Sequence, residues 1–188
     1  MAEQRAIFGV ANALALTSSG ARVAQVECLL LSGHGKLILT GNLVGEARDA
    51  AQVALSLART RARKFGIDPA DFLRTDVHFH IPGGGIARKG GPSAGLAMFV
   101  ALVSAMTRKP VDSTMAFTGE ISLSGAVLPI DGVLKKIKAA SQAGITRLFI
   151  PSDNASQAGK LPAASRKILN TVSIQSIDEA MEMIFLGK

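Results

Sequence analysis

The sequence predicts an α+β fold in which small mixed sheets pack against helices. Hydrophobic residues make up 48% of the 188-residue chain and charged residues only 19%, so the chain can bury a sizeable core. Segments with strand-like and helix-like periodicity are mixed without a regular βαβ alternation. The chain has no internal repeat and no linker-like stretch, so we predict one domain over residues 1–188.

The first sixty-five residues predict a β-meander followed by a helix. Apolar runs over residues 8–16, 23–31 and 36–40 are separated by the turn-forming sequences Thr-Ser-Ser-Gly and Ser-Gly-His-Gly. From Glu46 the apolar residues recur at helical spacing. This spacing predicts a helix that ends before Gly66.

The middle of the chain predicts a strand, a loop and a long helix. Val77, Phe79 and Ile81 alternate with polar residues, which indicates a strand with one apolar face. Residues 82–91 contain five glycines and predict a loop. Pro92 suits the first turn of the apolar helix that follows, to about residue 107, because the missing N–H of proline costs nothing there.

The last third of the chain predicts further strands and two helices. Strands are expected over three short stretches, residues 114–117, 121–128 and 145–150. A helix is expected from Asp131, acting as its N-cap, to Ala143, and Gly144 suits the position just after its end. Ser176 and Glu179 form the capping-box pattern that opens a last helix.

Composition narrows the class of protein. The longest apolar stretch, residues 94–106, is shorter than the ~20 residues that cross a bilayer, so we expect no membrane span. The N-terminal residues Met-Ala-Glu-Gln-Arg lack the apolar segment of a signal peptide. The single cysteine, Cys28, cannot form an internal disulfide and suits a small core position. We therefore expect a cytoplasmic globular protein.

The charge of the chain raises the question of a polyanionic partner. The net charge is +7, and basic residues cluster once, at Arg59, Arg61, Arg63 and Lys64. No aromatic residues interleave with them, as a surface that stacks single-stranded bases would require. A solvated helix end, with cations near the negative pole of the helix dipole, explains the cluster as well. DNA binding therefore has only weak support.

Ser93 is a candidate nucleophile. Residues 91–95, Gly-Pro-Ser-Ala-Gly, match the G-x-S-x-G pattern of α/β-hydrolases. All three histidines, at positions 34, 78 and 80, precede Ser93, so the hydrolase order of serine, acid and histidine is excluded. A serine in the first turn of a helix still lies among unpaired N–H groups that can stabilise an oxyanion. The alternative is that Ser93 caps the helix.

Lys136 is the candidate base for that nucleophile. At ~100° per residue it lies in the same sector of its helix as Val133 and Ala140, whereas Lys135 and Lys138 lie on the other side. Burial would lower the pKa of its amine, as a general base near neutral pH requires. The alternative is that Lys136 extends along the edge of the apolar stripe with its ammonium group in water.

Metal and nucleotide sites find little support. His78 and His80 share one strand face, but no cysteine or carboxylate cluster supplies further metal ligands. Residues 33–36, Gly-His-Gly-Lys, resemble part of a phosphate loop. However, Leu30 and Leu37 occupy the positions where that loop needs glycine and serine or threonine. We therefore predict neither a metal nor a nucleotide in this chain.

Several motifs together resemble one known family. Residues 89–98 read Lys-Gly-Gly-Pro-Ser-Ala-Gly-Leu-Ala-Met, and residues 118–130 read Thr-Gly-Glu-Ile-Ser-Leu-Ser-Gly-Ala-Val-Leu-Pro-Ile. Lys136 follows at the expected spacing, and residues 35–43 and 78–82 also fit. Over nearly its whole length the chain is similar to the proteolytic domain of Lon proteases.

The resemblance implies a Lon-type α+β protease fold with a Ser–Lys dyad. In that dyad Ser93 would attack the scissile carbonyl, Lys136 would accept its proton, and Thr118 would orient the lysine amine. The residues around the nucleophile would form a substrate and oxyanion loop, namely Gly90, Gly91, Pro92 and Ala94. The resemblance also implies hexameric rings and unfolded or damaged proteins as substrates.

The sequence departs from the family pattern in two places. Gly90 replaces the usual acidic residue, and Asp131-Gly132 replaces the usual Gly-Gly. No nucleotide-dependent unfolding domain is present, so we expect an excised protease domain or a stand-alone Lon-like protease, with ATP and Mg²⁺ acting only in a fused or partner ATPase. The alternative is a non-catalytic Lon-like module for oligomerisation and DNA contact. The presence of both Ser93 and Lys136 favours the protease.

Overall fold

A mixed sheet forms the centre of the fold. The computed structural model describes residues 7–18, 20–83, 90–160 and 169–185. Its strands are β1 Val10–Thr17, β2 Gly20–Ser32, β3 Leu37–Thr40, β4 Thr75–His80, β5 Met115–Phe117, β6 Glu120–Ile121, β7 Val127–Leu128, β8 Arg147–Pro151 and β9 Asn170–Ile174. Its α-helices are α1 Glu46–Thr60, α2 Gly95–Thr107, α3 Val133–Gln142, α4 Ala155–Ala158 and α5 Ile177–Phe185. The α+β class is therefore confirmed.

The sheet order corrects the predicted meander. The seven strands of the large sheet run β3-β4-β2-β1-β5-β8-β9, and β6 pairs with β7 separately. The β1–β2 hairpin is confirmed, but β3 pairs in parallel with β4 and not with β2. Strand β4 pairs antiparallel with the second half of β2 and so separates the two. A parallel pair needs a long crossover, and α1 lies in the crossover between β3 and β4.

Helices cover both faces of the sheet. Alternate strand residues face opposite sides, so Ala13 and Phe117 pack with α1 and α2, whereas Leu14 and Ala116 pack with α3. Every residue of α2 from Gly95 to Ala105 is buried, because the helix is apolar all round and lies in the core next to α1. Ser93 precedes α2 and Lys136 lies on α3, so the two candidate groups approach from opposite faces of the sheet.

The helix ends test the capping predictions. Asp131 is not the N-cap of α3, which is Gly132 with a left-handed φ of 69°. Gly144 does follow the helix end, with φ of +76°. Half of the predicted capping box of α5 is present: the Glu179 N–H donates to Ser176 Oγ at 3.2 Å, whereas the Glu179 carboxylate accepts from the N–H of Gln175, one residue before Ser176, at 2.8 Å.

Of two further secondary-structure predictions, one is wrong and the other is confirmed. The single strand predicted over residues 121–128 is wrong, because β6 and β7 form an antiparallel pair and Gly125, with a φ of +90°, lies in the turn between them. Helix α1 ends at Thr60 and continues as a 3₁₀ turn, Ala62–Phe65, before Gly66, as predicted. None of the helices in the described ranges is long and apolar enough to span a bilayer.

Candidate active site

Ser93 lies where a loop enters the central helix. It is the middle residue of a 3₁₀ turn, Pro92–Ala94, that leads directly into α2, so the prediction of Pro92 in the first helical turn is confirmed. The Ser93 side chain is half-buried. Its backbone carbonyl accepts a hydrogen bond from the Gly119 N–H at 2.9 Å, and the Leu96 N–H donates to the Gly119 carbonyl at 3.1 Å. Two backbone hydrogen bonds therefore hold the Ser93 turn against residue 119.

Lys136 is buried inside the fold. Only 1% of its surface is exposed, so the alternative in which its ammonium group reaches water is wrong. The Lys136 Nζ donates to Thr118 Oγ1 at 3.1 Å, and Thr118 is itself fully buried. Burial lowers the pKa of Lys136 from 10.5 to about 8, and the negative charge of Asp131 opposes this shift. The fold therefore favours the neutral amine more than water does.

Consecutive residues tie the two candidate groups together. Thr118 accepts the hydrogen bond from the Lys136 amine, and the next residue, Gly119, binds the backbone of Ser93. A side chain at position 119 would not fit, because a Cβ there would lie 2.6 Å from Val127 Cγ1. The segment that follows β5 therefore positions the base from one side and the serine from the other.

Ser93 and Lys136 also line the same cleft. It has a volume of about 1000 Å³ and lies at the end of the sheet beside β1 and α1. The other residues predicted around the nucleophile line this cleft too, namely Gly90, Gly91, Pro92 and Ala94. Thr118 is not in its wall and reaches it only through Lys136. Most of the predicted glycine loop, residues 84–89, lies outside the described residues.

The end of that loop is anchored to α1. The Gly90 carbonyl accepts a hydrogen bond from the Ala47 N–H at 3.2 Å, at the first turn of the helix. A Cβ at Gly90 would make only ordinary contacts, 3.6 Å from Val44 Cγ2. The space for a side chain at position 90 is therefore present, although this chain leaves it empty.

The fold agrees with the comparison to known proteins. A family model described as the Lon protease (S16) C-terminal proteolytic domain matches residues 1–187. The chain belongs to this Lon family. It is 43% identical over 187 residues to the Lon protease of Methylocella silvestris and 42% identical over 183 residues to that of Chloroflexus aggregans. These alignments cover 100% and 97% of this chain but 23% and 22% of the relatives, so it spans about a quarter of their length.

The basic cluster of this Lon domain is engaged within the fold. Arg59 donates to the Gly35 carbonyl at 2.6 Å, and Arg61 donates to the Ser124 carbonyl at 2.5 Å and to the Asp178 carboxylate. Lys64 lies 3.1 Å from the same carboxylate. These contacts join the end of α1 to the β2–β3 turn, the β6–β7 pair and α5. They give three of the four basic residues, Arg59, Arg61 and Lys64, a structural role, whereas Arg63 is exposed.

The histidine patterns have structural explanations as well. Thr40 Oγ1 lies 2.8 Å from His78 Nε2 and 2.7 Å from His80 Nδ1, which forms a side-chain network across β3 and β4. No group of three or more potential metal-binding side chains occurs within the ranges that the structure describes. In the Gly-His-Gly-Lys turn, the backbone N–H groups of His34 and Lys36 both donate to the Asp76 carboxylate at 2.8 Å. These two bonds also lower the pKa of Asp76.

Sequence analysis missed the acidic part of the cleft wall. Asp131 and Asp153 both line the cleft, and both are exposed. Between them lies Asn154, which is only 3% exposed and hydrogen-bonded to both the N–H and the carbonyl of Ile130. The available signal was a run of polar residues, 152–154, after the buried strand β8, since the carboxyl ends of strands are common positions for functional residues.

Proposed function

We propose that this chain is a serine endopeptidase that hydrolyses peptide bonds through a Ser93–Lys136 dyad. The observation that carries the proposal is the buried Lys136 amine, which has a pKa lowered to about 8 and lines the same cleft as Ser93. A buried lysine without an ionic partner is costly to a fold, and a role as general base accounts for its presence.

The proposed reaction has two stages. The Ser93 hydroxyl attacks the scissile carbonyl and gives its proton to neutral Lys136, and N–H groups at the start of α2 stabilise the oxyanion. The tetrahedral intermediate collapses as the leaving amine takes the proton from Lys136, which leaves an acyl-enzyme on Ser93. Water then attacks the ester and gives a proton to Lys136. That proton returns to Ser93 as the carboxylic acid product leaves.

The substrates and partners follow from the family and remain proposals. We propose that the chain cleaves unfolded or damaged proteins, because an extended segment fits a cleft better than a folded surface does. We also propose a homo-hexameric, cytoplasmic protease. The chemistry of the dyad needs no cofactor in this chain, and ATP with Mg²⁺ would act in a fused or partner ATPase domain that delivers substrate.

A direct assay tests this proposal. The chain is incubated with a fluorescein-labelled unfolded protein, and product peptides are identified by mass spectrometry. We expect peptide products with new internal termini. Absence of hydrolysis, together with salt-sensitive binding to duplex DNA, would instead support the non-catalytic module.

The pH dependence of hydrolysis gives a second test. With a pKa of about 8, the Lys136 amine is neutral in about one molecule in ten at pH 7 and in most molecules above pH 9. We therefore expect kcat/KM to rise about tenfold per pH unit below pH 7 and to level off above pH 8 to 9. In Asp131→Asn the rise of kcat/KM is expected to occur at lower pH, because the negative charge that raises the Lys136 pKa has been removed. If the rise of kcat/KM stayed at the same pH in this variant, the result would contradict the assignment of Lys136 as the general base.

Thr118 should affect turnover more than substrate binding, because its hydroxyl bonds to the base and the residue does not line the cleft. Thr118→Val removes the hydroxyl that accepts from Lys136 Nζ and keeps the shape of the side chain. We expect kcat to fall about 10-fold to 100-fold with little change in KM, because the amine loses the partner that orients it. Thr118→Ser keeps the hydroxyl and is the matched control. Equal losses in both variants would show a packing effect instead.

A further inference from the structure

The charge that lines the cleft is opposite in sign to that of the whole chain. The chain has 21 lysine and arginine residues against 14 aspartate and glutamate residues. In the described part of the chain, the charged residues lining the cleft are Arg22, Glu46, Glu120, Asp131, Lys136 and Asp153. Four are carboxylates, and one of the two cations is the base that must be neutral to act. A cleft lined by one sign of charge attracts ligands of the other sign.

Two of these carboxylates occupy the same wall of the cleft. Asp131 directly follows Ile130, and Asp153 directly precedes Asn154. The Ile130 N–H donates to Asn154 Oδ1 at 3.0 Å, and Asn154 Nδ2 donates to the Ile130 carbonyl at 3.1 Å. This double hydrogen bond is shielded from water, because Asn154 is buried. It therefore joins the two chain segments that carry these exposed, cleft-lining carboxylates.

Neither carboxylate forms an ion pair within the described residues. The ion pairs found there use only Asp71 and Asp178 as acids. The charge of Asp131 acts on Lys136 without a direct contact. A guanidinium or an ammonium group of a bound peptide can therefore pair with either carboxylate.

We propose that Asp131 and Asp153 select substrates that carry lysine or arginine close to the scissile bond, on one side of it. The inference rests on the proposed function, since it names the substrate class of the same cleft. Segments rich in aspartate or glutamate are repelled by the same wall. The preference concerns substrate residues near the cleaved bond. It is separate from any selection of the residue whose peptide bond is cleaved.

Peptide binding tests this preference without requiring hydrolysis. The probes are sets of three fluorescent peptides that differ at one position, which holds lysine, glutamine or glutamate, and each position of the peptide is varied in turn. Each peptide is titrated into the full chain carrying Ser93→Ala. At one or more positions on one side of the cleavable bond, we expect the lysine peptide to bind about fivefold tighter than the glutamine peptide and the glutamate peptide to bind weaker. At about 1 M salt, where the Debye length is ~3 Å, the difference should largely disappear.

Matched variants distinguish the effect of the cleft carboxylates on peptide binding from the effect of the net charge of the chain. Asp153→Asn is the test variant, because Asp131 also acts on the pKa of Lys136. We expect it to remove most of the lysine preference, measured as the ratio of lysine-peptide to glutamine-peptide affinity within the same variant. Asp49→Asn removes an exposed carboxylate of α1 outside the cleft and should preserve the preference.

The outcomes distinguish this inference from the proposed function. Equal binding of the three peptides, or equal effects of Asp153→Asn and Asp49→Asn, would overturn the inference. Hydrolysis of the glutamine peptide by the chain with Ser93 intact reports separately on the peptidase. Peptides that bind in the expected order but are not cleaved would reject the peptidase and retain the charge preference.

Discussion

Lys136→Met is expected to abolish hydrolysis and to stabilise the folded chain at neutral pH. Methionine fills much of the same buried space but cannot accept a proton. Loss of a general base lowers kcat by about 10²-fold to 10⁴-fold. Lys136→Arg should be inactive as well, because the guanidinium group keeps its proton. Such opposite effects on activity and stability are typical of a group that is retained for chemistry.

The stability part of this prediction follows from the lowered pKa. The Lys136 pKa is about 8 in the folded chain, against an ordinary value of 10.5 that applies when the chain is unfolded. Between these values the unfolded chain binds more protons, so the free energy of unfolding rises with pH from about 8 to 10.5. Below pH 8 the native state therefore carries a cost of about 3 kcal/mol, which methionine removes.

Urea denaturation at pH 7 and at pH 10 tests the predicted effect on stability. Hydrolysis of the labelled unfolded protein tests the predicted effect on activity. The free energy of unfolding of the unsubstituted chain should increase from pH 7 to pH 10, relative to that of Lys136→Met. Lys138→Met is the control, because Lys138 lies exposed on the same helix and should retain activity. A methionine variant that still turns over substrate would reject Lys136 as the base.

Ser93→Ala is expected to reduce hydrolysis at least about 10³-fold and to leave the fold intact. The contribution of residue 93 to structure runs through its backbone, since its carbonyl accepts from the Gly119 N–H. Alanine keeps this hydrogen bond. The pH dependence of unfolding that arises from Lys136 should also persist, because the burial that causes it does not involve the hydroxyl.

Hydrolysis assays and thermal unfolding of Ser93→Ala test this expectation. Ser141→Ala serves as the matched control, since Ser141 is also half-buried and lies on α3 outside the cleft. It should keep both activity and stability. Activity retained by Ser93→Ala, or a fold lost by it, would contradict the assignment of Ser93 as nucleophile.

Local sequence patterns predicted the parts of the fold that depend on neighbouring residues. The helical period placed Lys136 on the inward side of α3, and its burial confirms that placement. Ser176 and Glu179 marked the start of α5 because a capping box is a short-range hydrogen-bond pattern. Pro92, after a glycine-rich loop and before an apolar run, put Ser93 at a helix entrance, where the structure also has it.

Long-range contacts were not predictable from such patterns. The spacing of apolar residues in β3 is the same whether its neighbour is β2 or β4, so the meander was a wrong choice of partner. Asp131 looked like an N-cap because it precedes a helix, but Gly132 occupies that position. The acidic wall of the cleft depends on Asn154 meeting Ile130, 24 residues away in the sequence. No local period encodes that contact.

The approach of α2 and α3 from opposite faces of the sheet has a consequence for when the proposed dyad can form. The cleft that Ser93 and Lys136 line is complete only after both helices have docked and the segment after β5 has joined them. A chain with one face still open holds an ordinary alcohol and a fully protonated lysine. The proposed peptidase chemistry would therefore require the native state, so a chain that is still folding would not cleave itself.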